Sequence, residues 1–237
     1  MRISDRKFAI TGAGRGLGAA LAIEMARAGA QLVLLARTGE ALRDTAGTIL
    51  EMTGQQVIVM ACDLADSESA TEAGTRLATQ HGDLDGLIHN GAMWLPGPMD
   101  EVSDTDIQAC IASAAIGSLI LTRHLLPVLR AREHADIHTV VSTSGLPNRP
   151  LDGASVAFAA AKSAQAGFVH GLAEELEKTS VRVTAVFPGD FADVSPTDPA
   201  WDAPASGRAL SNREVVNAIL FILNQPPDVA IRSLVIE

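Results

Sequence analysis

Between residues 11 and 18 the chain reads TGAGRGLG, with glycine at positions 12, 14, 16 and 18 directly after the short apolar run KFAIT (Lys7 to Thr11). Glycine lets a backbone approach an anionic group closely, and a helix starting there offers unpaired N–H groups and the positive end of its dipole. The chemistry that suits this arrangement is the holding of a diphosphate. A glycine-rich stretch alone is a weak signal. This one follows a strand, opens a helical pattern ending at Ala28-Gly29, and is completed by a second apolar run, QLVLLA (Gln31 to Ala36). That is the context a dinucleotide site needs. A carboxylate at the end of the second strand would accept hydrogen bonds from a ribose 2′-OH; here Ala36 and Arg37 stand there instead. A guanidinium in that place can hold a 2′-phosphate through two hydrogen bonds, and Arg15 is a second candidate. The plainer reading, two solvated arginines at loop tips, competes with this one. The cofactor these residues predict is NADP(H).

The elements that must position such a site follow from the apolar runs. Beyond the first two strands, QVIVMAC (Gln56 to Cys62), GLIHN (Gly86 to Asn90), DIHTVVSTS (Asp136 to Ser144), SVRVTAVF (Ser180 to Phe187) and VAIRSLVI (Val229 to Ile236) read as strands. Helical patterns are predicted between them over residues 39–53, 67–80, 103–132 and 154–178, with a capping-box start at Ser211 and Glu214 for a helix to about Asn224. Strands without polar alternation are buried on both faces. Alternating strands and helices therefore predict a doubly wound (Rossmann) α/β fold, a mostly parallel seven-stranded sheet with helices on both faces. Ligands bind such sheets beyond the C-terminal strand ends. No linker, repeat or low-complexity tract divides the 237 residues, so a single domain over 1–237 is expected, with a substrate loop at about 190–210.

Composition narrows the function further. The 47% hydrophobic and 19% charged residues suit a sizeable core, and the net charge of −10 argues against a nucleic-acid surface. Cys62 and Cys110 lack metal-ligand spacing and are expected to be buried free thiols; no metal site is expected. MRISDRKFAI enters a strand directly and no run approaches ~18 apolar residues, so neither a signal segment nor a membrane span is expected. A cytoplasmic protein follows as the expectation.

The chain resembles the short-chain dehydrogenase/reductase family along essentially its full length. The likeness rests on TGAGRGLG, CDLAD after the third strand, HNGA after the fourth, the VVSTSG strand end, FAAAK (Phe158 to Lys162) and FPG. It implies a cofactor-lining set of Gly12, Gly14, Arg15, Gly16, Leu17, Gly18, Ala36, Arg37, Asp63, Leu64, Asn90, Gly91, Ala92, Lys162, Pro188 and Gly189. Asp63 and Leu64 would border the adenine, Asn90 and Gly91 the ribose, and Pro188-Gly189 the nicotinamide. The family's active site resembles a four-part proton system: a serine on the substrate carbonyl, a tyrosine passing a proton, a lysine on the ribose and an asparagine completing a water relay. By that likeness Ser142 matches the serine and Lys162 the lysine, while Phe158 stands at the tyrosine position and Ala114 at the asparagine position. The chain contains no tyrosine at all. Positions 158 and 162 are four apart and share a helical face, but a phenylalanine neither donates nor accepts a proton. An NADP(H)-dependent oxidoreductase on a carbonyl/alcohol pair, with impaired or rerouted proton transfer, is the first expectation. A catalytically inactive NADP(H)-binding sensor or scaffold is the second, and a lyase-like enzyme using the nucleotide structurally is a third.

Replacement proton sources include a water near Lys162, Lys162 itself, and the carboxylates of Asp190 and Asp193, though loop carboxylates are mostly solvated. His89 is expected to pack or bond locally. The loop DFADVSPTDPAWDAPASGRAL carries four carboxylates before Arg208, which disfavours a strongly anionic substrate. Met93, Trp94 and Leu146 would supply apolar walls, and Trp201 either covers a ligand or packs onto its own domain. A neutral, partly apolar carbonyl or alcohol is the expected substrate. A homodimer or homotetramer is implied by the resemblance, packed through the helix that carries Phe168 and Leu172.

Overall fold

The computed structural model describes residues 2–202 and 210–237. Residues 203–209, which include Arg208 of the expected substrate loop, lie outside the described residues. The chain runs β1 (Lys7–Thr11), α1 (Gly16–Arg27), β2 (Gln31–Ala36), α2 (Gly39–Thr53), β3 (Ile58–Ala61), α3 (Ser67–Gln80) and β4 (Gly86–His89). It continues with α4 (Asp104–Ile111), a π turn (Ala112–Ile116), α5 (Gly117–Arg130), β5 (Ala135–Val140), α6 (Val156–Glu175) and β6 (Val181–Pro188). The short β7 (Phe191–Ala192) and β8 (Leu210–Ser211), then α7 (Asn212–Leu223) and β9 (Ser233–Ile236), complete it.

The seven long strands form one sheet in the order β3-β2-β1-β4-β5-β6-β9, every pair parallel. This is the expected doubly wound fold. Alternate strand residues feed two cores. Phe8, Ile10, Leu32, Leu34, Ile88, Val140 and Val186 meet α1, α2 and α7 on one face. Ala9, Val33, Leu35, Met60, Leu87, Ile137, Val183 and Phe187 meet α3, α5 and α6 on the other. Both faces of each central strand are buried, which is why their sequences show no polar alternation. The order reverses between β1 and β4, so the turns following these two strands, which carry TGAGRGLG and HNGA, flank the switch point where such sheets open a crevice.

Local chemistry sets the element ends. Asp66 accepts from the N–H groups of Glu68 and Ser69 at the start of α3, and Ser211 and Glu214 form the capping box of α7. The edge strand β3 is shorter than the apolar run that predicted it, and Ile58 and Val59 are exposed. The predicted helix over 103–132 runs as one rod from Asp104 to Arg130, but with a π turn in its middle. That rod is long and apolar enough to cross a membrane by length and composition, yet half of its most apolar window is buried inside the fold. Its Leu121, Leu125 and Leu129 belong to the core shared with α3, and the rod is read as a core helix.

Two histidines lie wholly inside the sheet region. His89 Nε2 meets Thr122 Oγ1 at 2.8 Å, and His138 Nδ1 meets Thr184 Oγ1 at 2.9 Å. Burial, with a smaller effect of the neighbouring His138, pushes His89 down to about 3; burial pushes His138 down to about 4. Both are neutral in the fold, whereas in the unfolded chain each takes a proton below its ordinary 6.5. The unfolded state then binds more protons, so stability falls as pH drops from 6.5, for His138 to about 4 and for His89 to about 3. Urea unfolding between pH 6.5 and 5 is expected to lose roughly 2 kcal/mol per histidine. His89→Gln and His138→Gln should each flatten that slope by about one proton.

Candidate active site

The parallel strands bring the predicted strand-end residues to one end of the sheet. Thr11 ends β1, Ala36 ends β2 and Pro188 ends β6, while Asp63, Asn90 and Ser142 lie within two residues of the ends of β3, β4 and β5. The opposite end is bound up in ion pairs: Asp136 Oδ2 accepts from Arg6 Nη1 at 2.7 Å and Asp136 Oδ1 from Arg182 Nε at 2.6 Å. Burial alone would raise the Asp136 carboxyl, but the His134 hydrogen bond and the Arg182 and Arg6 charges hold it at about 2. A concavity of about 410 Å³ at that end is lined by Asp85, Arg132, Glu133, His134 and Pro227; Arg132 is already paired with Asp85 at 2.7 Å. That end braces the sheet.

At the crevice end the glycine turn is built by close approach. Gly12 has φ +66° and a side chain there would lie 2.7 Å from the Cα of Gly91; one at Gly18 would lie 2.2 Å from the Gly12 carbonyl oxygen. These glycines let β1, α1 and the turn after β4 touch. Thr11, which sequence reasoning passed over, fastens them. Its buried Oγ1 accepts from the N–H groups of Asn90 and Gly91, both at 3.0 Å. The Asn90 side chain in turn donates to the Thr11 and Gly12 carbonyls at 3.2 Å. Asn90 and Gly91 thus shape the crevice floor through the backbone. Leu17 is buried in the core beneath, and Ala36 faces Gly14.

Asp63 and Leu64 follow β3. The Asp63 carboxylate accepts from Ala65 N–H at 3.0 Å, and Leu64 packs against Gly91 and Gly117. Gly189 donates its N–H to the Ile236 carbonyl at 2.8 Å, fixing the turn after β6.

The anion-facing features fit a diphosphate carrying an extra phosphate, with one exception. α1 starts at Gly16 with no side-chain cap and no acidic residue in its first turn, leaving its N–H groups available. Arg15 and Arg37 are exposed, and Arg43 reaches back to within 3.4 Å of the side-chain position at Gly39. None of the three joins an ion pair among the described residues. Arg43 was missed from the sequence because it lies one helical turn inside α2.

The exception is Asp193. A side chain placed at Gly16 would meet the Asp193 carboxylate first, at 3.5 Å. Asn212 Nδ2 holds that carboxylate at 2.5 Å, while β7 pairs with β8 to fix the segment. A carboxylate at the open side of an anion cradle opposes a diphosphate. Asp193→Asn is therefore expected to tighten NADPH about fivefold in a fluorescence titration, with the gain shrinking as salt is added.

Ser142, Phe158 and Lys162 are brought together by the packing of α6 on the end of β5. Gly145 touches the backbone of Lys162 so closely that a side chain there would lie 2.6 Å from the Lys162 carbonyl oxygen. Lys162, 5% exposed, donates from Nζ to the Val140 carbonyl at 3.3 Å, two residues before Ser142. Ser142 Oγ accepts from Ser144 N–H at 3.1 Å, which leaves its own proton free to donate. Phe158 sits in the first turn of α6, which is capped by Ser155. Its ring packs with Leu95, Cys110, Ala114 and Ala161 and has Lys162 Nζ 5.6 Å from its centre. Trp94, 54% exposed, closes edge-on over Phe158 with centroids 4.6 Å apart.

Ala92 and Met93 pack against the same cluster, whereas Trp201 is buried in the α1/α7 core and does not face this crevice. His89, sealed in the core, is no part of the site. Both cysteines are buried and free, and no metal-binding group of residues occurs among the described residues.

Comparison with known proteins agrees with this architecture. An uncharacterized oxidoreductase of Staphylococcus saprophyticus is 26% identical over all of this chain and 99% of its own length. A metagenomic short-chain oxidoreductase solved in complex with NADP is 29% identical, covers 100% of this chain and 98% of its own, and superposes with a TM-score of 0.82. The L-sorbose reductase of Gluconobacter frateurii, at a TM-score of 0.85, 23% identity and coverage of 99% and 96%, shares the fold. The profile described as short chain dehydrogenase matches residues 6–201, and the chain belongs to that family.

Proposed function

We propose that this protein is an NADP(H)-dependent oxidoreductase acting on a carbonyl/alcohol pair, with impaired or rerouted proton transfer because Phe158 stands at the tyrosine position. The observation that carries the reading is the uncapped start of α1, with no acidic residue in its own first turn, beside Arg15 and Arg37, which join no ion pair among the described residues, in a chain of net charge −10. The short-chain oxidoreductase solved with NADP supports it. When bound, the nicotinamide would supply the hydride. The chain's own residues do the rest. The first-turn N–H groups of α1 meet the diphosphate, and Arg15 with Arg37 meets the 2′-phosphate. Gly12, Gly14, Gly16, Leu17, Gly18, Ala36, Asp63, Leu64, Asn90, Gly91, Ala92, Pro188 and Gly189 line the cofactor.

Lys162 spends two of its three N–H donors on protein acceptors and keeps one for a ribose hydroxyl. Ser142 donates its free proton to a substrate carbonyl oxygen, polarising it. Phe158 supplies no proton and makes an apolar wall with Trp94, suited to a neutral, partly apolar substrate. A soluble cytoplasmic setting and a homodimer or homotetramer belong to the same reading.

A second reading, an NADP(H)-binding sensor or scaffold, is favoured by one observation: Phe158 is 6% exposed, with the Trp94 ring over it where an acid would have to work. NADPH oxidation against a panel of neutral aldehydes and ketones separates the two. Turnover that collapses in Ser142→Ala is the expected result. Saturable NADPH binding with no turnover on any carbonyl would leave the sensor or scaffold as the better account.

A further inference from the structure

Lys162 is not held by the strand end alone. Its Nζ also donates to Gln165 Oε1 at 2.9 Å, and Gln165 Nε2 donates to the Ala114 carbonyl at 2.9 Å. Positions 162 and 165 lie one helical turn apart on the same face of α6. Ala114 lies in the middle of the π turn that interrupts the α4–α5 rod. Gln165 is 1% exposed, so both ends of its amide are committed inside the protein. The neighbours Ala114, Ala157 and Ala161 are small enough for α6 to approach the π turn this closely. A buried amide bridging an ammonium to a π-turn carbonyl is more than packing requires; an apolar residue would fill the same space.

We propose that Gln165 is a positioning residue for Lys162, an acceptor clamp anchored on the π turn that fixes where the ammonium points and how firmly it keeps its proton. This rests on the reading of Lys162 as the lysine that meets the cofactor. With one donor given to Val140 and one to Gln165, a single N–H remains for the crevice, and its direction is set by the other two.

Burial pushes Lys162 down to about 8, and among the described residues the thiol of Cys110 on α4 is the one titratable group that acts on it. Burial raises Cys110 itself, so it remains a neutral thiol around pH 8. Val140 and Ala114 contribute only carbonyls, and Phe158 only the face of its ring. Removing the Gln165 acceptor makes the ammonium easier to deprotonate; replacing it with a carboxylate makes it harder.

The test is the pH dependence of Lys162 acetylation by acetic anhydride, read by mass spectrometry on the folded full-length chain, for the parent, Gln165→Leu and Gln165→Glu. The expected midpoint is near 8 for the parent, about one unit lower for Gln165→Leu and about one unit higher for Gln165→Glu. A brace without effect on the ammonium would change thermal midpoints but leave all three acetylation midpoints together, and that result would overturn the proposal. Gln165→Glu keeps the size and an acceptor for the ammonium while giving up the donor to the Ala114 carbonyl, so a folding failure of Gln165→Leu still leaves the opposite shift to be read. A parallel NADPH titration separates this from the cofactor reading. Shifted midpoints without NADPH binding in any of the three proteins would uphold the clamp and reject the cofactor site. Binding with unshifted midpoints would do the reverse.

Discussion

Phe158→Tyr is expected to raise the rate of NADPH-dependent carbonyl reduction by about 10²–10⁴-fold, the usual contribution of a positioned general acid. The structure explains why so large a gain can come from one oxygen. Residue 158 already lies on the same helical face as Lys162, whose ammonium stands 5.6 Å from the ring centre. Below about pH 8 that ammonium is charged, and a positive neighbour lowers the pKa of a phenol, making it a better proton relay near neutrality. Ser142 keeps a free donor on the strand end against which α6 packs. Positioning and carbonyl polarisation would therefore be in place before the substitution. The gain should appear in kcat, with the affinity for NADPH unchanged, because the phenylalanine ring makes no claim on the diphosphate end of the crevice. Stopped-flow or steady-state NADPH oxidation with an aldehyde reads this directly. A variant as slow as the parent, with or without Ala114→Asn, would mean that the crevice no longer admits a carbonyl.

Arg37→Asp should weaken NADPH by about 10²-fold and leave NADH within a few-fold of the parent. Arg37 is exposed just past β2 and has no partner among the described residues, so nothing within the fold depends on its charge. A bidentate guanidinium–phosphate contact is charge-assisted, and hydrogen bonds to charged groups contribute ~1.5–3 kcal/mol each. The introduced carboxylate would repel a 2′-phosphate but accept hydrogen bonds from a 2′-OH, so the two dinucleotides should respond in opposite senses. Salt offers a second reading of the same contact. In the parent, NADPH affinity should fall with ionic strength more steeply than NADH affinity, and Arg37→Asp should remove that difference. Equal losses for both dinucleotides would reject the phosphate role.

Much of the frame was legible in the sequence because it is set by short-range rules. The helices over Gly39–Thr53 and Ser67–Gln80 begin and end where the apolar period and the turn residues put them, and the Ser211/Glu214 capping box forms as read. The glycine turn was legible because its context, strand before and helix after, lies within twenty residues. The π turn was not, since ASAAI suits an ordinary helix and only the packing of α6 against it sets it apart. Gln165 reads as one more polar helix residue until its two partners, three and 51 positions away, are known. Asp193 looked like a solvated loop carboxylate. It reaches the Gly16 turn because the β7–β8 pair and Asn212 hold it there, a contact spanning 177 residues of sequence that no local pattern encodes. Thr11 has the same character: a strand-end threonine whose hydroxyl matters because β1 and β4, distant in sequence, are neighbours in the sheet. The seven strand-end stretches were read correctly in kind, but the edge strands β3 and β9 are shorter than their apolar runs. In β9 the run is cut back where Val229 turns its carbonyl to Arg182.

Isothermal titration of the purified chain with NADPH tests the central claim most directly, because the cofactor end of the crevice is where geometry, charge and family likeness converge. The account predicts saturable heat at one NADPH per chain and a clearly weaker response to NADH. No heat with NADPH, and none with NADP⁺, in the parent and in Asp193→Asn alike, would contradict it.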